Sequence, residues 1–301
     1  MALPQRLARN RHHGGSRCRR KAHDAHRTDV SIGRSAASAR RHVAFEWVWP
    51  LWLEKIAPTD ETQPSALCGI VVIDKPEGMS SFGVVARVRR RARGAKTGHA
   101  GTLDPLATGI LVLALGRATR SIELLMATDK RYRTEVDLSA FTTTDDCEGK
   151  RDEIIVASTP TEADIRAALA AFHGTVLQKP PAFSAIKIAG QRSYRLARAG
   201  APPDIPARPV RIDSVELLRY AWPIAELDIR CGKGTYIRSI ARDLGVALGT
   251  GGHCRTLRRT AVGPFDETSA RSIDALPDPL TQSDLIGLDA ALALVESSRS
   301  G

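Results

Sequence analysis

The sequence predicts an α+β fold, and three observations carry the prediction: apolar runs of strand length, amphipathic helices placed between them, and no repeating βαβ unit. Gly69 to Asp74 is a buried strand that ends at the Lys75-Pro76 turn, and Ser80 or Ser81 caps a basic helix running to about Arg93. Ile110 to Leu115 is a second uninterrupted apolar strand. Lys130 to Leu138 alternates instead, with Tyr132, Thr134, Val136 and Leu138 on one side. Thr159-Pro160-Thr161-Glu162 marks a helix start, with Thr159 as cap, Pro160 at the first helical position and Glu162 closing the box, and the helix runs to Phe172. Tyr194 to Arg198 forms a short helix. Val210 to Tyr220 and Ile224 to Cys231 are strands joined through Ala221-Trp222-Pro223. Thr235 to Leu248 is an amphipathic helix whose buried stripe is Ile237, Ile240, Ala241, Leu244 and Leu248.

A chain of 301 residues with 43% hydrophobic content buries a substantial core in one large domain or two small ones. Its longest apolar runs are strand-sized, so no membrane span is expected. The five cysteines form no CxxC pair and are odd in number, which fits a cytoplasmic protein without structural disulfides or a zinc site. The net charge is +11, and residues 1 to 64, with 12 Lys and Arg against 6 Asp and Glu, contribute +6 of it. Charge alone therefore does not establish a nucleic-acid partner. Its distribution is more telling: Arg87, Arg89, Arg90, Arg91, Arg93 and Lys96 cluster just ahead of the loop described next, where they can neutralise phosphates beside a reaction centre or simply form a solvated helix face.

Residues 1 to 64 differ from the rest: Arg, His, Ser and Ala in poor periodicity, a Trp47, Trp49, Trp52 patch, then Pro58 to Pro64. They are expected to be a disordered basic extension and linker, a transit peptide, or a product of an upstream start site. His12, His13, Cys18, His23 and His26 match no standard ligand spacing, and no metal is expected.

Residues 98 to 109 read Gly-His-Ala-Gly-Thr-Leu-Asp-Pro-Leu-Ala-Thr-Gly. Gly98, Gly101 and Gly109 supply backbone freedom and close approach, and Pro105 biases Asp104 toward an extended backbone. The buried strand that follows would hold the solitary carboxylate rigidly at its edge, which is how a catalytic group is usually mounted. A turn aspartate before proline is the plain alternative.

Together with Asp74-Lys75-Pro76-Glu77-Gly78-Met79-Ser80-Ser81 upstream and Gly232-Lys233-Gly234-Thr235-Tyr236-Ile237-Arg238 downstream, this loop resembles the tRNA pseudouridine synthase B (TruB) family. The resemblance runs from about Gly69 to about Phe265, through Gln178 to Lys187, Gly190 to Tyr194 and Leu257-Arg258-Arg259. It implies a pseudouridine synthase fold, with a mixed, largely antiparallel central sheet flanked by helices. The implied boundaries are a catalytic domain over 65–268 and a short C-terminal helix and tail over 269–301, without a full C-terminal PUA domain. It also implies isomerisation of uridine to pseudouridine at position 55 in the T loop of tRNA, with no cofactor, no membrane, no required protein partner and a monomeric enzyme.

By the same resemblance Asp104 is the essential carboxylate, as nucleophile or base, and Arg238 pairs with it and keeps it ionised. Tyr132 stacks on the flipped base, His99 fills the place that base vacates, and Tyr236 and Leu257 line the pocket, while Lys75 buttresses the loop. Lys187, Arg192 and Lys233 are expected at phosphates. The chain departs from the family pattern at Thr143, where an aspartate is usual, near Ser139, where a glycine is missing, and at Phe183, in place of tyrosine. The rival readings are a noncatalytic RNA-binding or tRNA-folding chaperone of the same fold, and a guide-RNA-dependent relative that relies on protein partners. The combination of Asp104, Tyr132 and Arg238 argues against the first and the short C-terminus against the second. Ser184-Ala185-Ile186-Lys187 with Lys96-Thr97-Gly98 mimics serine acyl enzymes, but in reversed order and without the third motif.

Overall fold

The computed structural model describes residues 67–188 and 190–300. The readings made for residues 1 to 64 lie outside the described residues. The strands are β1 (Gly69–Lys75), β2 (Thr97–His99), β3 (Thr108–Leu115), β4 (Lys130–Asp137), β5 (Ala140–Thr142), β6 (Arg151–Glu153) and β7 (Gly174–Gln178). They continue with β8 (Lys187–Ile188), β9 (Gln191–Arg192), β10 (Arg208–Ala221), β11 (Ile224–Cys231), β12 (His253–Val262), β13 (Phe265–Asp266) and β14 (Arg271–Ser272). The α-helices are α1 (Ser81–Arg91), α2 (Ile122–Met126), α3 (Glu162–Leu169), α4 (Ser193–Arg198), α5 (Ile237–Leu248) and α6 (Leu288–Ser300).

Among the described residues one ten-stranded sheet runs β14-β1-β3-β12-β4-β11-β10-β7, with β2 paired to β3 and β13 to β12. Only β1–β14 and β3–β12 are parallel, so the sheet is mixed and largely antiparallel, as expected. β1 and β3 read as unbroken apolar runs because both their faces are covered. Val71, Ile73, Leu111 and Leu113 pack beneath α1, whereas Ile70, Val72, Ile110 and Val112 face the cluster that includes Ala291 and Val295 of α6. The third cluster fills the space between β4, β10, β11 and β12 and helices α3 and α5.

Local differences from the sequence reading have local causes. α3 is capped by Thr161, with Asp164 closing a full capping box, so the helix begins two residues later than the Thr159 reading places it. Its last turn tightens to a 3₁₀ turn over Ala170–Phe172. α5 starts at Ile237 instead of Thr235 because the Gln178 side chain clips the backbone of Tyr236, accepting from its N–H at 2.8 Å and donating to its carbonyl at 3.1 Å. β12 joins the two halves of the sheet but shows no alternation in sequence, because register shifts after Cys254 and Arg259 break the period of two.

Candidate active site

The loop bearing Asp104 leaves β2 and enters β3, and three separate clamps hold its backbone. Ser80 caps α1, accepting from Gly83 N–H at 3.0 Å, which frees Ser81 to turn inward. The buried Ser81 hydroxyl accepts from Leu103 N–H at 2.8 Å and donates to Leu103 O at 3.0 Å. Lys75 Nζ, fully buried at the end of β1, donates to Pro76 O at 2.9 Å, Met79 O at 2.7 Å and Pro105 O at 3.2 Å. Arg259 Nη2 donates to Gly101 O at 3.1 Å and its Nε to Ile110 O at 2.7 Å. Residues 101, 103 and 105 are thus fixed on either side of the carboxylate. Gly109 is required where the loop meets the sheet: its φ is +97°, and a Cβ there would lie 2.2 Å from Arg259 O.

Asp104 faces α5. Its Oδ2 lies 3.0 Å from Nη2 of Arg238, whose side chain is 4% exposed, while the Asp104 side chain is 37% exposed. Arg238 is also held by Asp146 Oδ2 at 3.2 Å from Nη1, and it donates to Thr144 O and Phe183 O, each at 2.9 Å. A planar guanidinium is suited to this, since its fixed fork meets two carboxylates and two carbonyls at once. Burial raises the Asp104 carboxyl above its ordinary value; Arg238 pulls it down and Asp146 pushes it up again, with the net direction upward. The ion pair therefore opposes, without cancelling, the desolvation of this group.

The sheet supplies the opposite wall. Tyr132 on β4 stands across from Arg259 on β12, and Thr134 across from Leu257, so Tyr132, Leu257 and Arg259 project from one face. Tyr132 and Leu257 share a cluster with Leu103, Leu106 and Ala107 of the loop. Burial pushes the Tyr132 phenol upward, and the neighbouring Arg259 guanidinium opposes that shift. His99 packs edge-on against Phe82 with ring centroids 5.6 Å apart, and its Nδ1 is buried without a partner. Burial, then the charge of Arg259, holds its imidazole below the usual range, so the ring is neutral at pH 7. Burial likewise lowers the Lys75 ammonium to about 8, against the pull of Asp104 and Glu77. Tyr236, half-buried, sits directly before α5 with the Arg208 guanidinium 5.6 Å from its ring centroid. Lys187 and Arg192 are cross-strand partners in the β8–β9 hairpin, and Lys233 is exposed in the turn before α5.

Two residues of this arrangement had no role in the sequence reading. Asp146 follows the departure at Thr143, which itself lies in a surface turn bonded to Lys150, and its pairing with Arg238 had no local signal. Arg259 is 1% exposed and, among the described residues, has no carboxylate partner; the second arginine of Leu257-Arg258-Arg259 was the only hint.

The chain matches two family models: the TruB family pseudouridylate synthase N-terminal domain over residues 89–237, and the tRNA pseudouridylate synthase B C-terminal domain over 238–297. It is 46% identical over 235 residues to a tRNA pseudouridine synthase B of Mycobacteroides abscessus, covering 76% of this chain and 78% of the relative. It is 45% identical over 246 residues to one of Gluconobacter oxydans, covering 76% and 71%. Among solved structures it resembles a chain of a Cbf5-Nop10-Gar1 complex, with a TM-score of 0.59 and 26% identity over 75% of this chain and 62% of that one. The fold and these matches define a pseudouridine synthase. Within that class, the chain belongs to the TruB family.

Proposed function

We propose that this chain converts uridine to pseudouridine in tRNA, at position 55 of the T loop, and acts as a monomer in the cytoplasm. The observation that carries the reading is the Asp104–Arg238 pair, a carboxylate partly open to solvent on a rigid loop and backed by a buried guanidinium, facing the wall of Tyr132 and Leu257. The reaction breaks C1′–N1 and joins C5 to C1′; C5 loses a proton, N1 gains one, and no oxidant, water or metal enters the balance. Asp104 is the carboxylate that acts on the reacting nucleotide. Arg238 aims it and favours its ionised form. The uridine is unstacked to reach it, at roughly a few kcal/mol, and the Tyr132 ring and Leu257 receive the base while neutral His99 occupies the vacated stack. Lys75 and Arg259 keep the loop in register. Lys187, Arg192 and Lys233 meet backbone phosphates. Among the described residues no helix is long and apolar enough to cross a membrane.

The test is to incubate an unmodified tRNA transcript with the protein and with Asp104→Asn, then map pseudouridine by chemical labelling and primer extension. One new stop in the T loop, absent with a variant that still binds RNA, is expected. Modification elsewhere would overturn the target, and binding without modification by either protein would overturn the activity.

A further inference from the structure

The active-site reading leaves one surface unused. Phe82, in the first turn of α1, is 61% exposed although it abuts His99 of the Asp104 loop. Phe82, Ala86, Arg89 and Arg90 are spaced four, seven and eight residues apart, so they share one face of the helix. With Val85 and Gly94 they line an open groove of about 450 Å³. Phe82 and Arg90 are separated by ~12 Å along the helix axis.

The cations on and beside this face have no carboxylate partner. Arg89 and Arg90 on it, and Arg87, Arg93 and Lys96 beside it, are exposed and form no ion pair among the described residues, with Arg89 Nε donating to Gly94 O at 3.3 Å, whereas Arg131, Arg133, Arg151 and Arg166 each face a carboxylate. Basic residues in the last turn favour the helix dipole, which accounts for some of these arginines. It does not account for an aromatic ring left in solvent at the opposite end, against the histidine beside the reaction centre. An apolar ring followed by unpaired cations along one line is complementary to a single nucleic-acid strand, where a base stacks on the ring and its following phosphates meet the guanidinium groups.

We propose that the exposed face of α1 seats the RNA strand adjoining the reacting uridine, with a flanking base stacked on Phe82 and the phosphates beyond it on Arg89 and Arg90. This rests on the tRNA reading above and adds a docking path outside the pocket. It is continuous with the site through the Phe82–His99 contact and through Ser81, which ties the same helix turn to Leu103.

The test is equilibrium binding of an unmodified T-arm hairpin RNA across a salt series, for wild type, Phe82→Ala, Phe82→Leu, Phe82→Trp and the double variant Arg89→Gln/Arg90→Gln, with thermal unfolding to verify that each is folded. Phe82→Ala and Phe82→Leu should each bind about 5- to 100-fold more weakly, and Phe82→Trp should bind like wild type. The double variant should flatten the slope of log K against log salt by about 1.4, the value for two contacts on a single strand. Wild-type binding by Phe82→Leu, or an unchanged slope in the double variant, overturns the proposal. Assaying wild type for pseudouridine with the same RNA separates the two readings: weakened variants without any product would leave the docking surface standing and the activity refuted.

Discussion

Asp104 lies between two walls that use buried positive charge differently. On the α5 side, Arg238 is neutralised by Asp104 and Asp146 and sits within an ion-pair network. On the sheet side, Lys75 and Arg259 are as deeply buried, yet they spend their donors on main-chain carbonyls of the loop and its flanks. The first arrangement sets the charge state and aim of the carboxylate. The second sets where its backbone is. Arg238 and Asp146 do most of the charge tuning of Asp104, with a smaller downward pull from Lys75, while Arg259 acts on the position of the loop, so the roles of Arg238 and Arg259 should fail separately.

The strongest break in that division is Arg238→Ala. It strands Asp146 in the interior and removes the partner of Asp104, so stability should fall by about 3 to 5 kcal/mol. Single-turnover pseudouridine formation should fall at least ~100-fold, since an aimed charge at the reacting centre is typically worth that much. Hairpin RNA binding should be largely kept. Arg238→Lys should not rescue it, because one ammonium cannot span two carboxylates and two carbonyls. Wild-type-like turnover by Arg238→Ala would refute the role of the pair.

Arg259→Met should produce a smaller loss of a different kind. Gly101 O and Ile110 O lose their donor, at about 1 to 3 kcal/mol for the buried Ile110 acceptor and less for the part-buried Gly101 acceptor, read from urea midpoints. Turnover should drop as the loop loosens, while the acid limb of the pH–rate profile stays where it is in wild type. A shifted limb would show that Arg259 also sets the charge of Asp104.

Asp146→Asn sharpens the comparison with the smallest effect. Asp146 pushes the Asp104 carboxyl upward, so removing its charge should lower that pKa. With Asp104 as the proposed essential carboxylate, the upward shift should place the acid limb of wild type above that of an unperturbed carboxylate. Asp146→Asn should move the limb toward lower pH. The sign for stability is the reverse: a carboxyl whose folded pKa is raised contributes most below its unfolded pKa, and that contribution is lost as pH rises through the raised value. The difference in urea midpoint between wild type and Asp104→Asn should follow that course, and a flat difference would refute the upward shift.

The legibility of the molecule follows how local each cause is. β1, β3 and β4, the cap of α1 at Ser80 or Ser81 and the α5 stripe were readable because apolar period and capping chemistry act within a few residues. β12 was not, since two register shifts scramble its alternation and its three arginines disguise a central strand. Within the site, the motif order brought out Asp104, His99, Tyr132, Arg238 and Leu257, and the structure sets Tyr132 and Leu257 against the Asp104 loop. Asp146 escaped because its partner Arg238 is on α5, at the far end of a long stretch of chain.

The order and type of the main elements, the glycine-bearing loop and the solitary carboxylate on it are written in the linear chain, because backbone sterics, capping and hydrophobic period are properties of neighbours. The sharing of one guanidinium by two carboxylates, the clasp of Lys75 and Arg259 on loop carbonyls, and the upward shift of the Asp104 carboxyl were decided only by the tertiary structure. Each depends on desolvation and on distances of about 3 Å between groups remote in sequence, and burial in common is what makes those interactions strong.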